Sequence, residues 1–118
     1  MPLTVVDTNI PRESLPETFG NELFDLVCKI TGKPTAVVCL DINPGKLMIR
    51  DGNTDPCVHI CFHSFTQALF TKEATGRFVT EVTSFIHEKL GVDNKRISFT
   101  FHPMASGHLV GLNGQLMG

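Results

Sequence analysis

CVHICFHS at residues 57–64, FVTEVTSFIHEKLG at 78–91 and ISFTFH at 97–102 decide the fold. The first run reads as extended. In the second, Phe78, Val79, Val82, Phe85, Ile86 and Leu90 recur at helical spacing until Gly91 ends the helix, and the third alternates as a strand again. The same order stands in the first half of the chain. Pro2 to Val6 is strand-like, Leu15, Phe19, Leu23, Leu26, Val27 and Ile30 keep helical spacing up to Gly32, and Ala36 to Ile42 runs extended. Two β-α-β units in tandem are predicted, each with parallel strands and a right-handed crossover. The fold class is α/β, an α+β sandwich: a mostly parallel four-stranded sheet with two helices on one face and short edge strands besides.

Working outward, the sheet face without helices is expected to be apolar and to need a partner, and a chain of 118 residues has nothing left to supply one. Self-association is the economical answer. Leu47 to Ile49 and Leu109 to Leu112, bounded by glycine or proline, are expected to be edge strands that pair with a neighbouring subunit. Asn43 to Pro56 reads as turns around one short strand. Residues 1–118 form a single domain.

A net charge of −2 with mixed signs gives no basic stripe for nucleic acid. No apolar run is long enough for membrane insertion and no signal peptide is legible, so the chain is expected in the cytoplasm at synthesis. Cys28, Cys39, Cys57 and Cys61 lack framework spacing and read as reduced, buried thiols rather than disulfides. Nine phenylalanines stand with no tryptophan and no tyrosine, which denies any site a phenol or indole donor.

Cys57, His59, Cys61 and His63 look like soft metal ligands, but at about 3.3 Å per residue the outer two lie about 20 Å apart, too far to share one ion. No metal is assigned. Pro2 behind Met1 has two readings. It serves only to permit methionine removal, or its freed secondary amine, desolvated in an apolar pocket, accepts a proton near neutral pH. Lys33, between the helix-stopping Gly32 and Pro34, either complements the helix end or binds an anionic group such as a carboxylate. Arg12, Arg50, Arg77 and Arg96 read as surface charges. The tail from Gly107 to Gly118 is turn and edge-strand backbone, with no helix following to make a phosphate loop.

Met1-Pro2, Thr8-Asn9-Ile10-Pro11, Gly32-Lys33-Pro34, Leu47-Met48, Thr54-Asp55-Pro56-Cys57, His63-Ser64 and Val110-Gly111 resemble, in order and spacing, the family of macrophage migration inhibitory factor and D-dopachrome tautomerase. The resemblance implies a homotrimer with a keto-enol tautomerase pocket at each subunit interface and no cofactor. It implies Pro2 as catalytic base once Met1 is removed, acting on a small α-keto acid such as phenylpyruvate or a dopachrome-like substrate. Lys33 binds the substrate carboxylate, and Ser64 and Phe65 line the same site. Ser98 and Thr100 stand where the neighbouring subunit contributes tyrosine and asparagine, and Val37 and Leu112 where aromatic groups line the pocket. Pro103 resembles the D-dopachrome tautomerase pattern, which makes that type the nearer one. The resemblance further implies a cytokine-like role outside the cell, reached without a signal peptide, with a cell-surface cytokine receptor as partner. Gly45 replaces the acidic half of a charged pair whose basic half, Arg12, is kept, and Cys61 is not at the second position of the two-cysteine redox motif. The alternative is a receptor-binding trimer whose tautomerase pocket is vestigial.

Overall fold

A computed structural model describes residues 2–116, so the expected removal of Met1 and the last two residues of the tail lie outside the described part. Strand β1 (Leu3–Thr8) is central: it pairs in parallel with β2 (Cys39–Asn43) on one side and antiparallel with β3 (Val58–Ser64) on the other. β3 pairs in parallel with β4 (Ile97–Pro103), which gives the sheet order β2-β1-β3-β4. Each parallel pair is one β-α-β unit, as the repeated pattern predicts, and the antiparallel β1–β3 contact joins the units.

The crossover helices start differently from their apolar stripes. Leu15 is not helical: Arg12–Ser14 make a 3₁₀ turn, Pro16 follows, and α1 (Phe19–Thr31) opens with Phe19 N–H donating to the Pro16 carbonyl at 3.0 Å. Helix α2 (Lys72–Leu90) begins six residues before Phe78, because Thr71 caps it by accepting from the Ala74 N–H at 3.1 Å. Both helices end on a left-handed glycine, Gly32 (φ 67°) and Gly91 (φ 69°), the conformation that lets the chain turn back to the sheet.

Strand alternation decides which side chains meet the helices. Val6, Ile60 and Phe62 face Leu23 and Val27 of α1 and Phe78, Val82 and Ile86 of α2 in one core. The Phe62 and Phe78 rings lie 4.7 Å apart. Thr4 is on the same buried face, and its Oγ1 has no hydrogen-bond partner among the described residues. A buried hydroxyl without a partner costs roughly 1–3 kcal/mol. Thr4→Val, which keeps the shape, is therefore expected to raise stability by about 1 kcal/mol in urea unfolding; a loss of stability would show that Thr4 finds a partner in solution.

One strand start is corrected, and the two expected edge strands take the following form within one chain, their pairing with a neighbouring subunit lying outside it. Ala36 and Val37 belong to a 3₁₀ turn (Thr35–Val37), and β2 starts only at Cys39, because Pro34 enters in an extended conformation and the following residues tighten. Leu47 to Ile49 is no strand of this sheet, and the segment holds only an isolated bridge between Arg50 and Asn53. Leu47 and Ile49 remain 85% and 69% exposed. Leu109 falls in a 3₁₀ turn (Gly107–Leu109), and the tail forms a separate hairpin of β5 (Gly111–Leu112) and β6 (Gln115–Leu116).

The uncovered sheet face is not apolar. Register places Cys39, Leu3, His63 and His102 in one row across it, Asp41, Val5, Cys61 and Thr100 in the next, and Asn43, Asp7, His59 and Ser98 in the third. The apolar members of each strand are used on the helix side, which leaves a polar, histidine-rich surface.

Candidate active site

Four segments arrive at one end of the sheet. β1 starts there with Pro2, β2 starts there after the Lys33 loop, and β3 and β4 finish there with Ser64 and Pro103. Pro2 is buried, and its carbonyl accepts from the Cys39 N–H at 2.9 Å. The antiparallel register that pairs Leu3 with His63 runs on to bring Ser64 opposite Pro2. The end of α1 returns the chain to the same place: Gly32 turns it, Lys33 follows half-buried, and Cys39 docks on β1. Topology alone therefore gathers Pro2, Lys33 and Ser64, residues far apart in sequence.

Ser64 is fully buried, and its Oγ accepts from the Thr66 N–H at 3.1 Å, closing a turn that holds Phe65 beside it. The Ser64 carbonyl accepts from the Met104 N–H at 2.8 Å, which ties the β4 exit to the same corner. The arrangement places a buried proline, a buried serine and the loop that carries Lys33 at one end of the sheet.

Ser98 and Thr100 are not part of this cluster within one chain. They lie on the face opposite the helices, and Ser98 is five residues from Pro103, about 16 Å along β4. They meet imidazoles instead. His59 Nδ1 is 2.6 Å from Ser98 Oγ, and Thr100 Oγ1 lies 3.3 Å from His59 Nε2 and 2.8 Å from His102 Nε2. His102 stacks on His63 with ring centroids 4.6 Å apart. Arg50, expected as a surface charge, donates to Ser98 Oγ. Arg96 also has a structural task, donating to the carbonyls of Pro56, Arg50 and Asp55. His59, His102 and Arg50 were missed because only strand register aligns residues about forty positions apart; the alternation of His59, Cys61 and His63 was the one visible signal. Among the described residues no group of three or more His, Cys, Asp or Glu is placed to hold a metal ion, and the four cysteines are free thiols of which only Cys57 is buried, since Cys39 and Cys61 lie on the open sheet face and Cys28 is only partly covered on α1.

Burial, then the Arg50 guanidinium, hold the His59 imidazole below its ordinary range, with His102 adding to this and Asp7 opposing it. Burial and His102 do the same to His63. In the unfolded chain both imidazoles take protons at the ordinary value, near 6.5, while the folded chain resists, so their contribution is full above that pH and is lost as pH falls below it. The urea midpoint is expected to drop between pH 7.5 and 5.5, and to drop less in His59→Asn; equal drops would remove His59 as the cause.

Comparison with known proteins gives a consistent result. The model of the family described as macrophage migration inhibitory factor matches residues 1–118. The macrophage migration inhibitory factor of Meriones unguiculatus is 30% identical over 114 residues, covering 97% of this chain and 96% of that protein. The D-dopachrome decarboxylase of Mus musculus is 28% identical over 117 residues, covering 99% and 98%. Among solved structures, macrophage migration inhibitory factor from Oncomelania hupensis superposes with a TM-score of 0.92 at 24% identity, over 100% of this chain and 83% of that one. The homologue from Prochlorococcus marinus gives 0.85 at 25% identity, over 98% and 99%.

Proposed function

The chain belongs to the macrophage migration inhibitory factor family, and on that premise we propose that it is a keto-enol tautomerase whose base is the amine of Pro2 after removal of Met1. The observation that carries this reading is the burial of Pro2 at the sheet end where Ser64 and the Lys33 loop also converge. A secondary amine in such a place is desolvated, which favours its neutral, proton-accepting form.

In the proposed reaction, Pro2 takes a proton from the carbon next to the keto group of a phenylpyruvate or dopachrome type of substrate and delivers a proton to the carbonyl oxygen, giving the enol, and the reverse transfer regenerates the ketone, so that no cofactor is needed. Lys33 holds the carboxylate as a point charge. The exposed Leu47, Ile49, Leu109 and Leu116 suit pairing with further copies, and a homotrimer would bring the Ser98 and Thr100 face of one subunit to the Pro2 corner of the next. Pro103 keeps the D-dopachrome tautomerase type as the nearer model, and identities of 30% and 28% do not separate the two. As part of the same proposal, the enzyme acts in the cytoplasm, and a cytokine-like role would be exercised outside the cell.

A second reading, a receptor-binding trimer with a vestigial pocket, is favoured by the loss of donors: the Ser98 and Thr100 hydroxyls that replace the family's tyrosine and asparagine are already engaged with His59 and His102. Sedimentation together with phenylpyruvate turnover on the Met1-free protein separates them. A trimer that turns over supports the tautomerase, and a trimer that is silent supports the receptor ligand.

A further inference from the structure

The open face of β3 and β4 carries a string of close polar contacts. Arg50 can only donate, and its Nη2 does so to Ser98 Oγ at 2.5 Å. Ser98 Oγ lies 2.6 Å from His59 Nδ1, and Thr100 Oγ1 lies 3.3 Å from His59 Nε2, 2.8 Å from His102 Nε2 and 3.4 Å from Cys61 Sγ. The donor and acceptor roles of the hydroxyls follow the imidazole tautomers, whereas Arg50 is a donor in every case, so its remaining N–H groups are the fixed donors beside Ser98.

Arg50 is firmly mounted. Its backbone N–H donates to the Asn53 carbonyl at 2.9 Å and its carbonyl accepts from the Asn53 N–H at 3.1 Å, across a tight turn with φ 52° at Asp51 and 74° at Gly52. Arg96 donates to the same Arg50 carbonyl at 3.2 Å. Among the described residues the ion pairs are Lys46–Asp7, Arg77–Glu81 and Lys89–Glu22, and none involves Arg50. A guanidinium fork held in place, with N–H groups to spare and no carboxylate of its own, is preorganised for a carboxylate ligand.

We infer that Arg50 of one subunit binds an anionic group of the substrate held at Pro2 of the next, so that the preferred substrate is a 2-keto acid with a second carboxylate at its far end. This rests on the reading above, in which the Ser98 face meets the neighbouring Pro2 corner, because Arg50 is bonded to Ser98 and travels with it. Lys33 takes the carboxylate beside the keto group, and Arg50 takes the distal one. A bare phenyl ring offers Arg50 no charged hydrogen-bond acceptor.

The test compares kcat/KM for 4-carboxyphenylpyruvate and for phenylpyruvate on the Met1-free assembled protein. The wild type is expected to favour the dicarboxylate about tenfold, chiefly through KM, as a charge-assisted bidentate contact made throughout the reaction requires. Arg50→Gln is expected to bring that ratio to about one, with Arg50→Lys between, while Arg77→Gln on the helix side leaves it unchanged. A wild-type ratio near one, or a ratio kept in Arg50→Gln, overturns the inference. Melting and sedimentation check Arg50→Gln for assembly, and if it fails to assemble Arg50→Lys decides. Pro2→Gly separates the two levels: loss of both substrates there with the ratio untouched by Arg50 sinks Arg50 alone, and a wild type that turns over neither substrate sinks both.

Discussion

Pro2→Gly is expected to lower kcat for phenylpyruvate tautomerisation by about a hundredfold, at the lower end of what a positioned general base contributes. The glycine variant still presents an amine, so a smaller base remains. It loses the ring that fills the buried position between β2 and Ser64 and that makes the amine secondary. The loss belongs in kcat, because the base acts in the proton-transfer step and Lys33, the proposed holder of the carboxylate, is untouched. Turnover within about threefold of wild type would remove Pro2 from the chemistry, since base catalysis cannot be lost at so small a cost.

Phe62→Ala is expected to destabilise the fold by about 3–5 kcal/mol, a large part of the stability of a domain this size. Phe62 is fully buried in β3 and packs against Phe78 of α2, with Phe70 and Phe101 also in ring contact. Removing it opens a cavity between sheet and helix that neither rigid element can close. The same strand carries Ser64 two residues on, so any folded fraction would also show a loosened Pro2 corner. Urea unfolding reads the effect, and a loss under about 1 kcal/mol would mean that the aromatic cluster repacks around the gap.

The legible part of the fold was the part written in periodicity. Apolar spacing over Phe78 to Leu90 and alternation over 57–64 and 97–102 gave the element types, and Gly32 and Gly91 gave the helix ends. Helix starts were misplaced because they depend on a proline and a cap: Pro16 delays α1, and Thr71 advances α2. The polarity of the open face was misjudged for a different reason. Composition counts a residue as apolar or polar, whereas only register shows that Asp7, His59 and Ser98 share a row and that the apolar partners lie behind.

Within the candidate site, Pro2, Lys33 and Ser64 stand at turns and strand ends that short sequence signals mark. Arg50 carries no such mark. Its place is set by the Asp51-Gly52 turn and by a serine 48 positions away, a long-range pairing that no local pattern encodes.

The most direct test of the proposed amine mechanism is phenylpyruvate turnover by two preparations of the same protein, one with Met1 removed and one with Met1 retained, each verified by intact mass. Retaining Met1 turns the Pro2 nitrogen into an amide, which has no basic lone pair, while leaving every other residue in place. The expected result is turnover in the processed form and its loss in the unprocessed one. Equal turnover in both would contradict a catalytic Pro2 amine.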